Sequence, residues 1–184
     1  ALHSDPNQFP QDVVELKGYL SSTCHPQQRV TAVPGFGSQV PLYILGSSLF
    51  GAQLAAILGL PFAFASHFAP DAMMRAIKLY RQEFEPSEQL AQPHVILGYN
   101  ICAADTEEEA MLLRSSGLQA FLNLRSGNPG PLPKPNERFE EELSDAERAM
   151  LQQVSSASAV GTVASVRDKV HEFLQRTEAD ELIV

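Results

Sequence analysis

Apolar and polar positions along the chain follow two rhythms, one helical and one of short buried runs. Val13, Leu16 and Leu20 recur at helical spacing behind Pro10, which predicts a helix over 10–20 with proline in its first turn. His25-Pro26, Pro34-Gly35 and Gly37 then punctuate a loop. The apolar runs 42–45 and 62–66 read as buried strands. Each leads directly into a helix: an alanine-rich one over 50–58 with Gly59 as its C-cap, and one over 71–84 on which Met73, Ile77 and Tyr80 or Phe84 repeat. Residues 94–104 form the longest strand candidate, and Asp105-Thr106-Glu107-Glu108 opens a helix running to about Leu124. The proline-rich stretch 127–135 admits neither helix nor sheet interior. Helices over 144–156 and 163–175 and a strand over 181–184 close the pattern. Strand and helix alternate, so the crossovers demand parallel pairing and an α/β fold.

The junction Ile44-Leu45-Gly46-Ser47-Ser48 into the helix at Phe50 carries the most chemistry. A strand end, two hydroxyls and the positive end of a helix dipole converge on one point, a geometry that suits a phosphate. No Lys or Arg occurs between Pro41 and Pro70, so N–H groups and hydroxyls are the donors available there. A plain N-cap accounts equally well for Gly-Ser-Ser taken alone. The second strand ends at Ala65-Ser66-His67, again with polar groups at the C-terminal end. Two such junctions in succession point to a β/α barrel. A closed barrel has eight strands in roughly 250 residues, whereas this pattern supplies four in 184. The opening helix has no strand before it and the last strand no helix after it. The expectation is a (β/α)8 barrel of TIM type of which residues 1–184 form the C-terminal half, strands five to eight, with a connector and insertion helix over 127–156.

Length and composition permit one packed domain, with 44% hydrophobic residues. A net charge of −9 excludes an extended nucleic-acid surface. The acidic runs 107–109, 140–142 and 178–181 read as solvated ends of helices and loops. Cys24 and Cys102 have neither disulfide-framework nor zinc spacing, and no metal-type cluster is visible, so a cytoplasmic setting without membrane contact is expected. The start, Ala1-Leu2-His3-Ser4, lacks the regions of a signal peptide. It also lacks an initiator Met, consistent with an excerpt or a processed chain. His3, His25, His94 and His171 show no partner spacing.

Together these residues resemble the bacterial-luciferase-like flavin-dependent monooxygenases. The resemblance lies in Val40-Pro41-Leu42-Tyr43-Ile44-Leu45-Gly46-Ser47-Ser48, in Gly51-Ala52-Gln53-Leu54-Ala55-Ala56 and in the block from Leu58 through Pro70. Shorter matches run from Phe9-Pro10-Gln11-Asp12 through Tyr80-Arg81 and Ala103-Ala104-Asp105-Thr106 to Ala179-Asp180-Glu181-Leu182-Ile183-Val184.

What the resemblance implies is a barrel holding FMN at its C-terminal face. The flavin, reduced by a separate reductase, would be used with O2 to oxidise a small organic substrate. It implies that Gly46, Ser47 and Ser48 hold the FMN phosphate, with Gly51 leaving room for close approach. It places Ala65 and Ser66 against the flavin ring and makes His67 a candidate acid or base; a structural histidine at a strand end is the alternative. Part of both pockets would come from the other half of the barrel. A homo-oligomer is expected, since open sheet edges associate. The connector 127–135 is either a lid or a plain surface loop. Two further readings stand beside this one. The first is a flavin-binding or structural half-barrel without catalysis. The second is an unrelated phosphate-binding isomerase or aldolase, which would need a Lys or Glu at a strand end that no strand here supplies.

Overall fold

The computed structural model describes residues 8–23 and 28–184. His3, Cys24 and the His25-Pro26 turn lie outside them. In chain order the elements are α1 Phe9–Leu20, β1 Ile44–Gly46, α2 Leu49–Leu58, β2 Phe62–Phe64, a short 3-10 turn at Pro70–Ala72 and α3 Met73–Glu83. They continue with β3 Val95–Gly98, β4 Asn100–Ala103, α4 Glu107–Arg125, α5 Phe139–Glu142 and α6 Asp145–Ser155. The last are β5 Ser158–Gly161, α7 Val163–Thr177 and β6 Glu181–Ile183.

Four strands form one parallel sheet in the order β1-β2-β3-β6. Ile44, Phe62, Phe64, Val95, Leu97 and the half-buried Leu182 join the core with the apolar faces of α2, α3 and α7. Fully burying a residue such as Phe62 or Leu97 stabilises the fold by about 1.5–3 kcal/mol. Leu45, Ala63, Ile96 and Ile183 follow from the same register as the other face. At the N-terminal ends Tyr80 ties two strands together from α3. Its hydroxyl donates to the Leu60 carbonyl at 2.9 Å and accepts from the His94 N–H at 3.1 Å.

The predicted strand 94–104 is real but serves two sheets. Even-numbered residues face β2, as in the bond from Phe62 N–H to the His94 carbonyl, and odd-numbered ones face β6. Beyond Phe64 the chain of β2 turns away and leaves this side vacant. β5, a strand that the sequence pattern did not predict, fills it. Asn100 N–H donates to the Ala157 carbonyl at 3.1 Å while Tyr99 N–H still donates to Ile183 at 2.8 Å. β4 and β5 then run parallel as a second, two-stranded sheet.

Between α4 and β5 the connector 127–135 is free of helix and strand, as expected. Its far end is tied back to α4, with Gln119 Nε2 donating to the Lys134 carbonyl and Asn136 N–H donating to Ser115 Oγ. The insertion helix predicted over 144–156 is α6, opened by a capping box between Ser144 and Glu147. The start of α4 is fastened to α7 by Glu107. Its carboxylate accepts from Thr162 N–H at 3.0 Å, Thr162 Oγ1 at 3.2 Å and the Ser165 hydroxyl. Gly161, at φ 139°, leaves the space: a Cβ there would lie 2.7 Å from Glu107 Oε1.

Two outcomes are expected. Tyr80→Phe lowers the urea-unfolding free energy by about 1–3 kcal/mol, because the buried Leu60 and His94 groups lose their partner; a neutral result contradicts the tie. The Ser165 and Thr162 bonds lower the Glu107 pKa on folding. Its stabilisation is therefore complete above the ordinary carboxylate range and fades as pH falls through the lowered folded value. Glu107→Gln should reduce the urea midpoint at neutral pH and converge with the parent chain in acid.

Candidate functional site

The C-terminal ends of β1, β2 and β3 bring the sequence-predicted residues onto one rim. Ser48 occupies the N-cap of α2 with extended backbone, φ −139° and ψ 166°, yet its hydroxyl caps nothing. Ser47 and Ser48 are both exposed, and neither hydroxyl has a partner among the described residues. The other helices that begin on Ser or Thr behave differently. Thr106, Ser144 and Thr162 each accept a hydrogen bond from their own first turn. No acidic residue stands in the first turn of α2 to offset the dipole. The bare N-terminus thus keeps its N–H groups and two hydroxyls available for an anion. Gly51 is buried beneath this point, where a Cβ would touch the Phe62 ring at 3.5 Å and the Gly46 Cα at 3.7 Å. It packs helix against strand.

The neighbouring strand end is locked to both sides. Ala65 N–H donates to the Gly46 carbonyl at 2.9 Å. Ser66 is wholly buried and its hydroxyl donates to the Gly98 carbonyl at 2.6 Å. That hydroxyl therefore works inside the protein, joining β2 to β3, while half-buried Ala65 stays at the rim. His67 then lies over Gly98. A Cβ on Gly98 would stand 2.7 Å from His67 Cε1 and nearer still to Nδ1, so the ring occupies the space that any other residue would fill. His67 Nδ1 is buried without a hydrogen-bond partner, an arrangement that costs free energy and is uncommon.

His67 also lines a cavity of about 450 Å³ between the turned end of β2, the β4–β5 sheet, α4 and α6. Asn100 and Cys102 enter it from β4, Arg114, Leu118 and Phe121 from α4, and Ser155 from the end of α6. The connector 127–135 contributes nothing to its lining. Arg114 Nη2 donates to Ser155 Oγ. Burial pulls the guanidinium pKa down, while the charge of Glu140 acts in the opposite direction. No carboxylate of the described residues forms a salt bridge with it. Gly98 and Arg114 were not singled out from sequence. Their importance depends on what folds against them. Among the described residues no His/Cys/Asp/Glu group has the arrangement of a metal site, and no helix is long and apolar enough to cross a membrane.

Comparison with known proteins assigns the family. The sequence model of the luciferase-like monooxygenases matches residues 9–181. A luciferase-like monooxygenase of Escherichia coli K12 is 45% identical over 183 residues, covering 100% of this chain and 54% of that protein. The structure of apo-MsnO8 superposes with a TM-score of 0.75 at 24% identity, covering 98% of this chain and 54% of that one. A coenzyme F420 dependent tetrahydromethanopterin reductase from Methanopyrus kandleri shares the fold at a TM-score of 0.57 and 14% identity, covering 97% of this chain and 57% of that one. The chain belongs to the luciferase-like monooxygenase family, with an α/β fold of TIM-barrel type, and spans about half the length of the curated relatives it matches.

Gly98→Ala is expected to cost about 1–3 kcal/mol by overpacking against His67. The pair Gly98→Ala, His67→Ala should recover most of that loss, read as a coupling energy from urea unfolding. Additive costs contradict the contact.

Proposed function

We propose that this member of the luciferase-like monooxygenases forms the flavin-phosphate side of an FMN-dependent monooxygenase site. The observation that carries the reading is the uncapped start of α2, with the hydroxyls of Ser47 and Ser48 exposed on the same rim as His67. This donor set fits a phosphate. It offers neutral N–H and O–H donors and a dipole without a competing carboxylate, and Gly46 puts no side chain in the way.

On this reading Ser47, Ser48 and the first N–H groups of α2 hold the FMN phosphate. Gly46 and Ala65 keep the adjoining wall low enough for a flat ring. Gly51 and Ser66 act from beneath, the first by seating α2 on β1 and the second by fixing the β2 end to Gly98. When bound, reduced FMN would supply the two electrons by which one atom of O2 enters the organic substrate and the other leaves as water. His67 faces the cavity from a rigid strand end, where its imidazole can donate to or accept from a bound group. The apolar lining from α4 and β4–β5 limits water around the reacting groups.

The same proposal identifies β1, β2, β3 and β6 as strands five to eight of a barrel, residues 1–184 being its C-terminal half. Two observations support it: the consecutive parallel order of the strands and the relatives' roughly double length. The rest of the barrel would then complete the flavin and substrate pockets. A separate reductase supplying reduced flavin, self-association and a cytoplasmic location belong to this proposal too. Exposed Leu45 and Ile183, on the two edge strands of the sheet, favour a second reading in which the chain binds flavin only with a partner or the remaining half.

The test is equilibrium titration with FMN, followed by its visible spectrum, beside coenzyme F420 as comparison. FMN should bind, and Ser47→Ala with Ser48→Ala together should weaken it about tenfold to a hundredfold, as expected for losing charge-assisted donors. Unchanged affinity in the double variant, or equal affinity for riboflavin lacking the phosphate, contradicts the phosphate assignment. Oxygen uptake with reduced FMN separates the catalytic reading from the binding-only one.

A further inference from the structure

The cavity beside His67 has one feature that flavin binding at the β1–α2 junction does not use. Arg114 reaches into it from α4, partly buried, with a single hydrogen bond, to Ser155, and no salt bridge to any acid of the described residues. A guanidinium carries five N–H donors and stays charged. Arg114 is partly buried, and the charge of Glu140 acts on it without a salt bridge. Its remaining donors therefore stay open to the cavity, where a carboxylate would gain charge-assisted hydrogen bonds. The other polar groups of the wall are His67, Asn100, Cys102 and Ser158, and Phe68 and Phe121 stand within its apolar lining. Those two rings pack edge to face at 6.3 Å, with Arg125 stacked outside on both, its guanidinium carbon 4.5 Å from the Phe68 centre. The cavity therefore has one cationic end and an aromatic wall whose outer side is already covered. Its volume of about 450 Å³ lies in the range of small-molecule pockets.

We propose that this cavity binds a small organic acid whose carboxylate pairs with Arg114 and whose apolar chain lies along Phe68 and Phe121 toward His67. Naming that acid the substrate rests on the monooxygenase reading; the binding itself does not. The acid then presents its apolar end, and not its charged head, to the strand-end rim. Selectivity follows from charge: a neutral analogue of equal length leaves the guanidinium as bare as before.

The chain as it stands is titrated by calorimetry, without flavin, with octanoate and with octanamide as the neutral analogue. Octanoate should bind at least about tenfold more tightly, the difference expected for one charge-assisted pair. Arg114→Met should abolish the preference and Arg114→Lys should restore part of it. Equal binding of acid and amide by the parent chain overturns the proposal without any variant, so a misfolded variant cannot shelter it. Absence of octanoate binding overturns it too. So does a preference that survives Arg114→Met in a folded chain, or one lost instead in the Ser47→Ala, Ser48→Ala variant, which would put the anion at α2. Failure of FMN to bind while octanoate still discriminates removes the flavin reading and leaves the acid site standing.

Discussion

The lack of a side chain at Gly98 is the constraint on which the candidate site depends. It lets the chain leaving β2 fold directly over β3, with the Ser66 hydroxyl bonded to the Gly98 carbonyl and the His67 ring lying where a Cβ would be. With Ala65 bonded back to Gly46, three adjacent strand ends become one rigid rim. A side chain at 98 would lift His67 and loosen the Ser66 anchor together. Preorganisation of this kind lets a histidine at a strand end hold one orientation toward a cavity.

The turn over Gly98 has a second effect. Because β2 leaves the sheet there, the outward N–H and C=O groups of residues beyond Tyr99 need another partner. β5 supplies it, and with β5 come the helices on either side, α6 before and α7 after. The cavity is the space between the departed strand and its replacement. Glu107 keeps that space in shape by joining the start of α4 to the start of α7. Arg114 lies two turns further along α4, so the position of its guanidinium follows from the same attachment.

Much of this was legible in the sequence, and the limits have physical causes. The strand-helix junctions at Ser47 and at Ser66 could be read because small polar residues closing an apolar run have few other uses. Gly59 as the cap of α2 was legible for the same kind of reason, and it sits at φ 60°. The strand Ser158-Ala159-Val160-Gly161 was not. Four small residues between two helices carry almost no period, and their strand conformation is decided by the vacancy beside β4. Ser47 and Ser48 could be identified as donors, but only the fold reveals that Ser48 leaves the helix start uncapped. Arg114 gave no signal in a helix where surface arginines are ordinary; its significance arises from packing across to α6.

The exposure pattern of the sheet bears on the half-barrel proposal. On the face away from the core helices, the central residues Ala63 and Ile96 are only 5% exposed. Across the ladder Ala63 meets Leu45, which is 69% exposed, and Ile96 meets exposed Glu181; Ile183, opposite Gly98 on the same face, is 51% exposed. An open sheet with a solvent-adapted face would carry polar groups at those edge positions, since parallel sheets are normally covered on both sides. Here the apolar pattern continues outward onto β1 at Leu45 and reaches the C-terminal end of β6 at Ile183, while Glu181 makes the start of β6 polar on this face. On the half-barrel proposal, exposed Leu45 and Ile183 on the two edge strands would meet further strands on both sides, which a barrel provides by closing on itself. Such closure would cover Leu45 and Ile183 while leaving the C-terminal rim accessible, because strands added at the edges extend the wall and not the mouth.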